Sequence, residues 1–451
     1  MTIDSQTIFA PGREARIAAR SDVVVIGGGP AGFSAAIGAA RNGASVTLVE
    51  RYPYLGGLAS GGMVLLLDDM CNGSEITIRG VCGELIERMK RYGLAVYPPE
   101  HEWGSSAEVQ RKWARWGSFD PNSKLRPHPI CYAAAFDPDG WKRASDDMVL
   151  EAGVNLRLHS WFSSTIVENG RATGVIVETK SGPEAIMGSV IVDTTGDLDV
   201  AASAGAPFTK GGYIVTTVFR LGGVNTEMAE DFQEQEPEKY QEVDREIRRM
   251  LGGAWEYWWL KTPLPGVVWC NCPHVAGLDG TNVEDLTKLE FESRKRIHDV
   301  VEQARQTLPG FEDCYIVDLA PQSGVRQTRL LDGEYVVSKE DISNRIAFHD
   351  SIARGRDYYT PYRALLPRNV DQLIVAGRHY SATSAAQKIS REIPPCMAMG
   401  EAAGVAAALA LESGVTVRNV DVPKLQARLR AGGADPGDQP SSNATLIKEQ
   451  A

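Results

Sequence analysis

Cysteine is scarce and irregularly placed in this 451-residue chain. The cysteines are odd in number and widely scattered: Cys71, Cys82, Cys131, Cys270, Cys272, Cys314 and Cys396. Small secreted domains carry instead a dense and even-numbered disulfide framework. The pattern argues against such a scaffold, and we expect the protein in a reducing cytoplasm.

The chain also lacks an excess of positive charge. Its formal net charge is -11, which argues against a general affinity for nucleic acids or anionic lipid surfaces, because both attract basic patches. No run approaches the roughly 18 to 20 apolar residues of a membrane-spanning helix, and residues 1–20 hold no continuous apolar segment of a signal peptide. We therefore expect a small-molecule partner, and neither nucleic acid nor membrane.

The composition is that of a folded protein, with 43% hydrophobic and 23% charged residues. A chain of this length exceeds one ordinary hydrophobic core, so two closely packed domains are expected.

The clearest motif is a glycine turn between a strand and a helix. The β-branched run 23–26 leads into Gly27-Gly28-Gly29-Pro30-Ala31-Gly32 and an alanine-rich helix, and a second strand, 45–49, ends at Glu50. Gly27 permits the tight turn, Gly29 lets the backbone approach a pyrophosphate, and Gly32 lets helix and strand pack closely. The helix start offers free N–H groups to phosphates, and Glu50 can accept the ribose hydroxyls. The segment predicts a dinucleotide-binding βαβ unit.

The glycine turn alone does not distinguish FAD from NAD. Further segments follow it along the chain: Glu50-Arg51, Gly56-Gly57-Leu58-Ala59, Asp193-Thr194-Thr195-Gly196-Asp197, Gly324-Val325-Arg326-Gln327-Thr328-Arg329, Gly333-Glu334-Tyr335, Val375-Ala376-Gly377-Arg378 and Met399-Gly400-Glu401-Ala402-Ala403-Gly404. Over roughly residues 22–412 they resemble the FAD-dependent oxidoreductase family related to the glutathione-reductase-type flavoproteins.

The resemblance implies an α/β fold with two parts. One is a Rossmann-like FAD-binding domain, a parallel sheet with helices and a small antiparallel sheet, formed by residues 22–65, 135–205 and 365–430. The other is a mixed α+β substrate or cap domain, formed by residues 66–134 and 206–364. Residues 1–21 are expected to be an N-terminal extension and residues 431–451 a flexible tail.

The resemblance also implies that FAD is bound non-covalently, and it assigns residues to each part of the cofactor. The pyrophosphate would lie against Gly27, Gly29, Pro30, Ala31 and Gly32, and the adenosine ribose near Glu50 and Arg51. Gly57, Leu58 and Ala59 would run beside the flavin, Ser163 would contact the adenine end, and Thr195 and Gly196 would lie near the adenosine. Gly377 and Arg378 would lie near the ribityl chain or phosphates.

A helix beginning near Met399, with Gly400 and Ala403 in its first turns, would direct its positive end at the flavin, where reduction develops negative charge. The alternative is that small residues there simply allow helices to pack closely.

Flavin carries the hydride, so the protein needs a group that orients the substrate and an acid or base. The candidates are Arg326, Arg391, His379 and Tyr380. The alternative for the arginines is pairing with an acidic neighbour such as Glu334 or Glu392. Tryptophans 255, 258, 259 and 269 either wall an apolar pocket or pack in a core.

Cys270, Cys272 and His274 are metal-ligand types, but no second ligand pair at a suitable spacing accompanies them, so no metal is expected. The flavin loop lacks a Cys-x-x-Cys pair, which argues against disulfide reduction.

These observations predict an FAD-dependent oxidoreductase of the dehydrogenase or oxidase type, with hydride transfer between a small organic substrate and flavin N5. Two alternatives stay open: a redox-neutral double-bond isomerase and a flavin-binding subunit without turnover. No second glycine fingerprint for NAD(P)H is evident. The electron acceptor is undetermined, and a homo-oligomer is left open.

Overall fold

The computed structural model describes residues 12–73, 75–120 and 123–446. The first half of the described chain forms, in order, β1 (Arg16–Ile26), α1 (Pro30–Arg41), β2 (Val46–Val49), β3 (Leu66–Leu67), β4 (Cys71–Asn72), β5 (Glu75–Ile76), α2 (Gly80–Arg91), β6 (Ala95–Val96), α3 (Ala107–Trp113), β7 (Ala134–Phe136), α4 (Pro138–Glu151), β8 (Asn155–Arg157), β9 (Trp161–Glu168), β10 (Arg171–Thr179), β11 (Gly182–Asp193) and α5 (Asp199–Ser203).

The second half forms β12 (Phe208–Lys210), β13 (Val215–Thr216), β14 (Phe219–Gly222), α6 (Thr226–Gln235), α7 (Pro237–Leu251), β15 (Leu260–Lys261), β16 (Val268–Cys270), β17 (His274–Val275), α8 (Val283–Thr307), β18 (Tyr315–Leu319), β19 (Gly324–Val325), β20 (Arg329–Leu331), α9 (Lys339–Ser343), β21 (Ile346–Ala347), β22 (Ser351–Arg354), β23 (Tyr359–Pro361), β24 (Leu373–Val375), α10 (Ser384–Ser390), α11 (Ile393–Ser413), α12 (Val422–Ala431) and β25 (Thr445–Leu446).

The largest sheet is mixed. Its order is β8-β2-β1-β11-β10-β9, and β24 pairs with β11. β8, β2, β1, β11 and β24 run parallel, whereas β9 and β10 form an antiparallel hairpin beside the first half of β11. The hairpin turns at Asn169 and Gly170, both with positive φ, as an Asn-Gly pair favours. The α/β fold, with a parallel core and a small antiparallel addition, is confirmed.

The second half of β1 is buried on both faces. Val23, Val24 and Val25 have no exposed surface. Val23 and Val25 belong to the apolar cluster that contains α1 and α11, while Val24 belongs to a second cluster on the opposite face. Burial on both faces explains why the strand is a continuous β-branched run rather than an alternating one.

A second region lies between residues 208 and 361. Its four-stranded sheet has the order β15-β16-β14-β18 and shares an apolar core with α6, α7 and α8, in which Phe219, Ile247 and Ile297 have no exposed surface. The three-stranded sheet β17-β13-β19 lies in the same region. This combination of antiparallel strands and helices is α+β in character, and the domain boundaries given above stay a prediction.

Two terminal predictions need correction. Residues 16–21, assigned to an extension, belong to β1 and pair with residues 184–188 of β11. Residues 431–446, assigned to a flexible tail, are held to the protein: Asp435 forms an ion pair with Arg354 at 3.0 Å, and β25 pairs with β21. Residues 1–11 and 447–451 lie outside the described residues.

The expectation that no apolar run reaches membrane-spanning length also needs correction. Among the described residues, α11 is long and apolar enough by length and composition to cross a membrane, but 89% of its most apolar 18-residue window is buried inside the protein. The reason is its position on the sheet, where it packs along α1.

Candidate active site

A cavity of about 990 Å³ opens at the carboxyl ends of the parallel strands. Residues directly after β1, β2, β11 and β24 border it, namely Gly27, Glu50, Thr195 and Gly377. Ligands of open α/β sheets bind at this edge, because the loops that follow parallel strands meet there. The cavity extends from these loops to the three-stranded sheet of the second region, where Thr216 and Arg326 border it.

The glycines of the first turn have different physical roles. A β-carbon at Gly32 would lie 1.7 Å from the carbonyl oxygen of Gly27, and Gly27 itself has a φ of +99°. These two glycines are required by the chain's own packing, so Gly32 supports the cavity without bordering it. A β-carbon at Gly29 would instead have Gly57 Cα as its nearest neighbour, at 3.9 Å. Gly29 and Gly57 both border the cavity, so their bare backbone leaves room for a ligand.

The start of α1 can bind an anion. Gly29 is its N-cap and supplies no side-chain hydrogen bond, and the first turn contains no acidic residue. The N–H groups of this turn therefore keep their capacity for a phosphate. Pro30 and Ala31 border the cavity at the same place, whereas Ala59 is fully buried and only its neighbours Gly57 and Leu58 border it.

The carboxylate of Glu50 is fixed by backbone donors. The N–H of Gly28 donates to Oε2 at 2.7 Å and the N–H of Tyr52 donates to Oε1 at 2.8 Å. Burial raises the pKa of Glu50, and these two hydrogen bonds oppose that shift. Each oxygen keeps a further lone pair, so the fixed carboxylate can still accept a hydroxyl from a ligand.

An aromatic wall follows Glu50. The guanidinium of Arg51 lies 5.0 Å from the Tyr52 ring centre and 5.5 Å from that of Trp161. The strand segment that borders the cavity here is residues 160–162. Ser163, which the resemblance assigned to the adenine end, follows this segment on β9 and does not itself border the cavity.

The segment after β11 connects the loops around the cavity. The Thr194 hydroxyl lies 2.8 Å from the carbonyl oxygens of both Ile26 and Gly27. Asp193, which has no exposed surface, accepts a hydrogen bond from the backbone N–H of Ala201 at 2.9 Å. Burial opposes the ionisation of Asp193, but its interaction with His379 and the hydrogen bond from Ala201 hold its pKa below the usual value. The loops after β1 and β11 are therefore tied together.

Arg378 lies over Gly196. Its Nη2 forms an ion pair with Asp197 Oδ1 at 2.9 Å, and a β-carbon at Gly196 would come within 2.5 Å of Nη1. Gly196 also has a φ of +84°. The glycine thus provides both the turn and the space for the guanidinium, and both residues border the cavity.

The predicted helix start near Met399 is wrong. α11 begins at Ile393 and has proline in its first turn. Proline is tolerated there because the first N–H groups of a helix have no partner within the helix. Met399 and Ala403 are buried inside the helix packing, and a β-carbon at Gly400 would lie 2.0 Å from the carbonyl oxygen of Ala31. The packing alternative therefore accounts for these small residues. Ile393 and Cys396, in the first turn, border the cavity instead.

Tyr380 and His379 are adjacent in the chain but differ in position. Tyr380 is 1% exposed, its hydroxyl lies 2.7 Å from Ser390 Oγ, and burial raises its pKa. It does not border the cavity, so its predicted role in proton transfer is not supported. His379 does border the cavity. Its Nε2 lies 3.2 Å from Asp193 Oδ1, and its buried Nδ1 has no partner among the described residues.

The two candidate arginines both border the cavity. Arg391 pairs with Glu392 at 3.1 Å, as the pairing alternative proposed. Arg326 has no ion pair among the described residues, and Glu334 pairs with Arg418 instead.

Comparison with known proteins identifies the family. A model of the FAD dependent oxidoreductase family matches residues 22–360 and 355–429. The chain belongs to this family. FAD is its cofactor, as predicted.

Curated relatives share shorter stretches with this flavoprotein. It is 51% identical over 59 residues to the fumarate reductase (cytochrome) of Shewanella frigidimarina, covering 12% of this chain and 10% of that protein. It is 28% identical over 189 residues to the thiamine thiazole synthase of Aeropyrum pernix, covering 39% of this chain and 55% of that protein. The matches thus span from a tenth to about half of the relatives' length.

Solved structures resemble the flavoprotein at low identity. A geranylgeranyl bacteriochlorophyll reductase-like protein from Thermoplasma acidophilum aligns with a TM-score of 0.45 and 13% identity, over 92% of this chain and 84% of that one. The p-nitrophenol 4-monooxygenase PnpA from Pseudomonas putida DLL-E4 aligns with a TM-score of 0.46 and 13% identity, over 94% and 92% of the two chains.

Sequence reasoning missed two acids that border the cavity of this flavoprotein. Asp68 and Asp69 directly follow β3. Burial raises the pKa of Asp69 to about 7, although Tyr358 donates a hydrogen bond to it, at 2.6 Å. Burial, and then the proximity of Glu392, raise the pKa of Asp68 well above its usual value. The signal in the sequence is a pair of aspartates at the end of the apolar run 63–67.

The tryptophan cluster divides between core and cavity. Trp258 and Trp259 are buried against Phe311 in the core of the second region. Trp255, Tyr257 and Trp269 border the cavity. Both alternatives considered for the cluster therefore apply, each to different members. Among the described residues there is no group of three or more histidine, cysteine or acidic side chains that could hold a metal ion.

Proposed function

We propose that the protein transfers a hydride between a small organic substrate and N5 of bound FAD. The observation that carries the proposal is the continuity of the cavity, which reaches from the glycine turn after β1 to side chains of the second region. Cavities for a cofactor or drug-sized ligand occupy about 300–1,000 Å³, and this one lies at the upper end of that range. A substrate on the second region's sheet would share the cavity with the cofactor.

The residues around the cavity fit FAD. The open space beside the bare backbone of Gly29 and Gly57 would accept the pyrophosphate at the start of α1, and Glu50 would accept the ribose hydroxyls. His379 Nδ1 is buried without a protein partner, so a polar atom of the cofactor would satisfy it. When bound, FAD supplies the acceptor for the hydride and its two electrons.

The chain's own groups would hold the substrate and its proton. Oxidation of a carbon bearing an O–H or N–H group releases a proton as well as a hydride, and a carboxylate whose pKa is raised is the stronger base for that proton. The Asp68 carboxylate borders the cavity and has no ion pair among the described residues, so we assign it this proton. Asp69, held by Tyr358, would orient that segment. Asp68→Asn should therefore slow substrate oxidation and leave FAD binding unchanged.

The test is anaerobic spectroscopy of the purified FAD-loaded protein. A panel of alcohols, amines, hydroxy acids and unsaturated acids is added, and the flavin absorbance is followed. The proposal expects at least one compound to bleach the flavin by one equivalent and to give an oxidised product. Conversion of a compound without bleaching of the flavin would favour the isomerase. If no compound bleaches the flavin and none is converted, the non-catalytic subunit is favoured. Either result overturns the proposal.

A further inference from the structure

Three cationic side chains meet at the end of the cavity formed by the second region. Arg326, Lys388 and Arg391 all border the cavity. The Lys388 Nζ lies 4.8 Å from the ring centre of Tyr213, and the Arg391 guanidinium lies 5.7 Å from the same ring. Lys388 and Arg391 therefore lie beside the same ring, and Arg391 is close enough to Arg326 to lower its pKa by repulsion.

The partners of Arg326 are neutral. Its Nη2 donates to Thr216 Oγ1 at 2.9 Å and to Asn271 Oδ1 at 3.1 Å, and its Nε lies 3.2 Å from the same threonine oxygen. Nη1 donates to no group in the described part of the chain. Thr216 and Asn271 thus fix the plane of the guanidinium but do not neutralise it.

The acids that act on Arg326, Glu392 and Asp68, form no ion pair with it. The described residues place no carboxylate within 4.0 Å of it, whereas Arg391 has Glu392 and Arg378 has Asp197. Burial, and then repulsion from Arg391, lower the pKa of Arg326 to about 10, so it stays charged at neutral pH. A half-buried charge without an ion pair is unfavourable, and an anionic ligand would lower that penalty.

The surroundings of this cationic end are apolar and aromatic. The guanidinium of Arg326 lies 5.4 Å from the ring centre of Trp255. Tyr257, Leu260 and Trp269 border the same cavity. A ligand with its charge at Arg326 would therefore find apolar surface for the rest of its body.

We infer that the substrate is a carboxylic acid with an apolar body, and that Arg326 binds its carboxylate through the planar guanidinium, with Lys388 and Arg391 adding positive charge. This inference rests on the proposed function, because it names the substrate class of that same site. Because Nε and Nη2 already donate to Thr216 and Asn271, Nη1 is the nitrogen left to donate to a ligand. A carboxylate suits it better than a neutral amide does, since hydrogen bonds between two charged groups are the stronger ones.

The test uses benzoate as an unreactive probe and benzamide as its neutral counterpart. Each is titrated into the purified FAD-loaded protein, and binding is measured by calorimetry and by the change in flavin absorbance. We expect benzoate to bind at least tenfold more tightly than benzamide. Arg326→Gln should weaken benzoate binding by about 10- to 100-fold, the range for a hydrogen bond to a charged group, and should leave benzamide binding nearly unchanged.

Two further variants make the experiment decisive. Arg326→Lys keeps the charge but loses the planar group that Thr216 and Asn271 hold in place. Its affinity for benzoate should therefore fall between those of the wild type and Arg326→Gln, which covers the case of a glutamine variant that does not fold. Arg249→Gln is the matched control, because Arg249 is an exposed arginine of the same region paired with Glu246, and it should change nothing.

The outcomes separate this inference from the proposed function. Equal binding of benzoate and benzamide, or full benzoate affinity in Arg326→Gln, overturns the inference. Inorganic phosphate that binds more tightly than benzoate and depends on Arg326 also overturns it, in favour of a phosphate ester. If benzoate binds as expected but no compound in the panel reacts, the redox proposal fails while the carboxylate site stands. If only neutral compounds bleach the flavin, the redox proposal stands and the carboxylate substrate is overturned.

Discussion

The carbonyl oxygen of Ala31 lies 2.0 Å from the position that a β-carbon would occupy on Gly400. This contact joins the first turn of α1 to α11, so the two helices are closer than any side chain would allow. Gly400→Ala should force them apart and lower the free energy of unfolding by about 1–3 kcal/mol, the usual range for overpacking. Urea unfolding of the two proteins measures the difference.

The control for that experiment is Gly83→Ala. Gly83 is also helical, in α2, but a β-carbon there has open space around it. Alanine should leave the stability equal or raise it by about 0.5–1 kcal/mol. Equal effects of the two substitutions would contradict the helix contact.

Gly29 and Gly32 are three residues apart, and we expect opposite defects when they are replaced. Gly29→Ala should fold normally, with apoprotein stability within about 0.5 kcal/mol of wild type, because the protein has room for the methyl group. It should weaken FAD binding at least tenfold, because we propose that the pyrophosphate occupies that room. Gly32→Ala should destabilise the apoprotein, since its β-carbon would overlap the Gly27 carbonyl.

Thermal unfolding of the apoproteins and fluorescence titration with FAD distinguish the two defects. An unstable Gly29→Ala apoprotein, or one that binds FAD like the wild type, would show that Gly29 serves the fold and not the ligand.

Replacement of Glu50 by glutamine should destabilise the protein even without FAD. The carboxylate accepts hydrogen bonds from the N–H groups of both Gly28 and Tyr52, and an amide must turn its NH₂ group toward one of these donors. Loss of one buried hydrogen bond costs about 1–3 kcal/mol, measurable by urea unfolding of the apoprotein. Glu178→Gln, on the exposed side of β10, is the control and should have no effect; a stable Glu50→Gln apoprotein would refute the account.

Glu401 should make stability depend on pH. It lies in α11, and its Oε2 accepts the N–H of Val81 at 3.0 Å. Burial raises the pKa of Glu401 from 4.5 to about 7. Between these values the folded state binds a proton that the unfolded state has released. The stabilisation linked to this proton is therefore complete below about pH 4.5 and is lost as the pH rises through 7.

In Glu401→Gln the side chain at position 401 is an amide, which is neutral at every pH. It should match the wild type at low pH and exceed its unfolding free energy by up to about 3 kcal/mol at pH 8.5. Urea unfolding from pH 5 to 8.5 measures this widening difference. Glu412→Gln, on the exposed side of the same helix, should give a flat difference, and a flat profile for Glu401→Gln would mean that the carboxyl titrates normally.

The first βαβ unit could be predicted because its signals are local. A buried strand, a glycine turn, a helix and an acidic strand end all fall within residues 23–50, and each element depends mainly on its own residues and neighbours. The alanine-rich helix that the glycine turn predicts is α1, Pro30–Arg41.

The rest of the site depends on packing between distant segments. His379 and Tyr380 are neighbours in sequence, yet only the pairing of His379 with Asp193 and of Tyr380 with Ser390 decides which one borders the cavity. The small residues of α11 suit a helix start as well as close packing, and only the contact with α1 distinguishes the two. The burial that raises the pKa of Asp69 exists only in the folded chain, in which Tyr358, 289 residues further along the sequence, donates a hydrogen bond to it.

The packing of α11 on α1 bears on how the protein is made. α1 leaves the ribosome early, whereas its partner α11 consists of residues 393–413 and leaves late. Until those residues emerge, the side of α1 that packs on α11 has no cover, although β1, β2, α2 and α4 already contact the helix. Apolar surface exposed in this way makes incomplete chains prone to aggregate, so a protein truncated before residue 393 should be less soluble than the full chain.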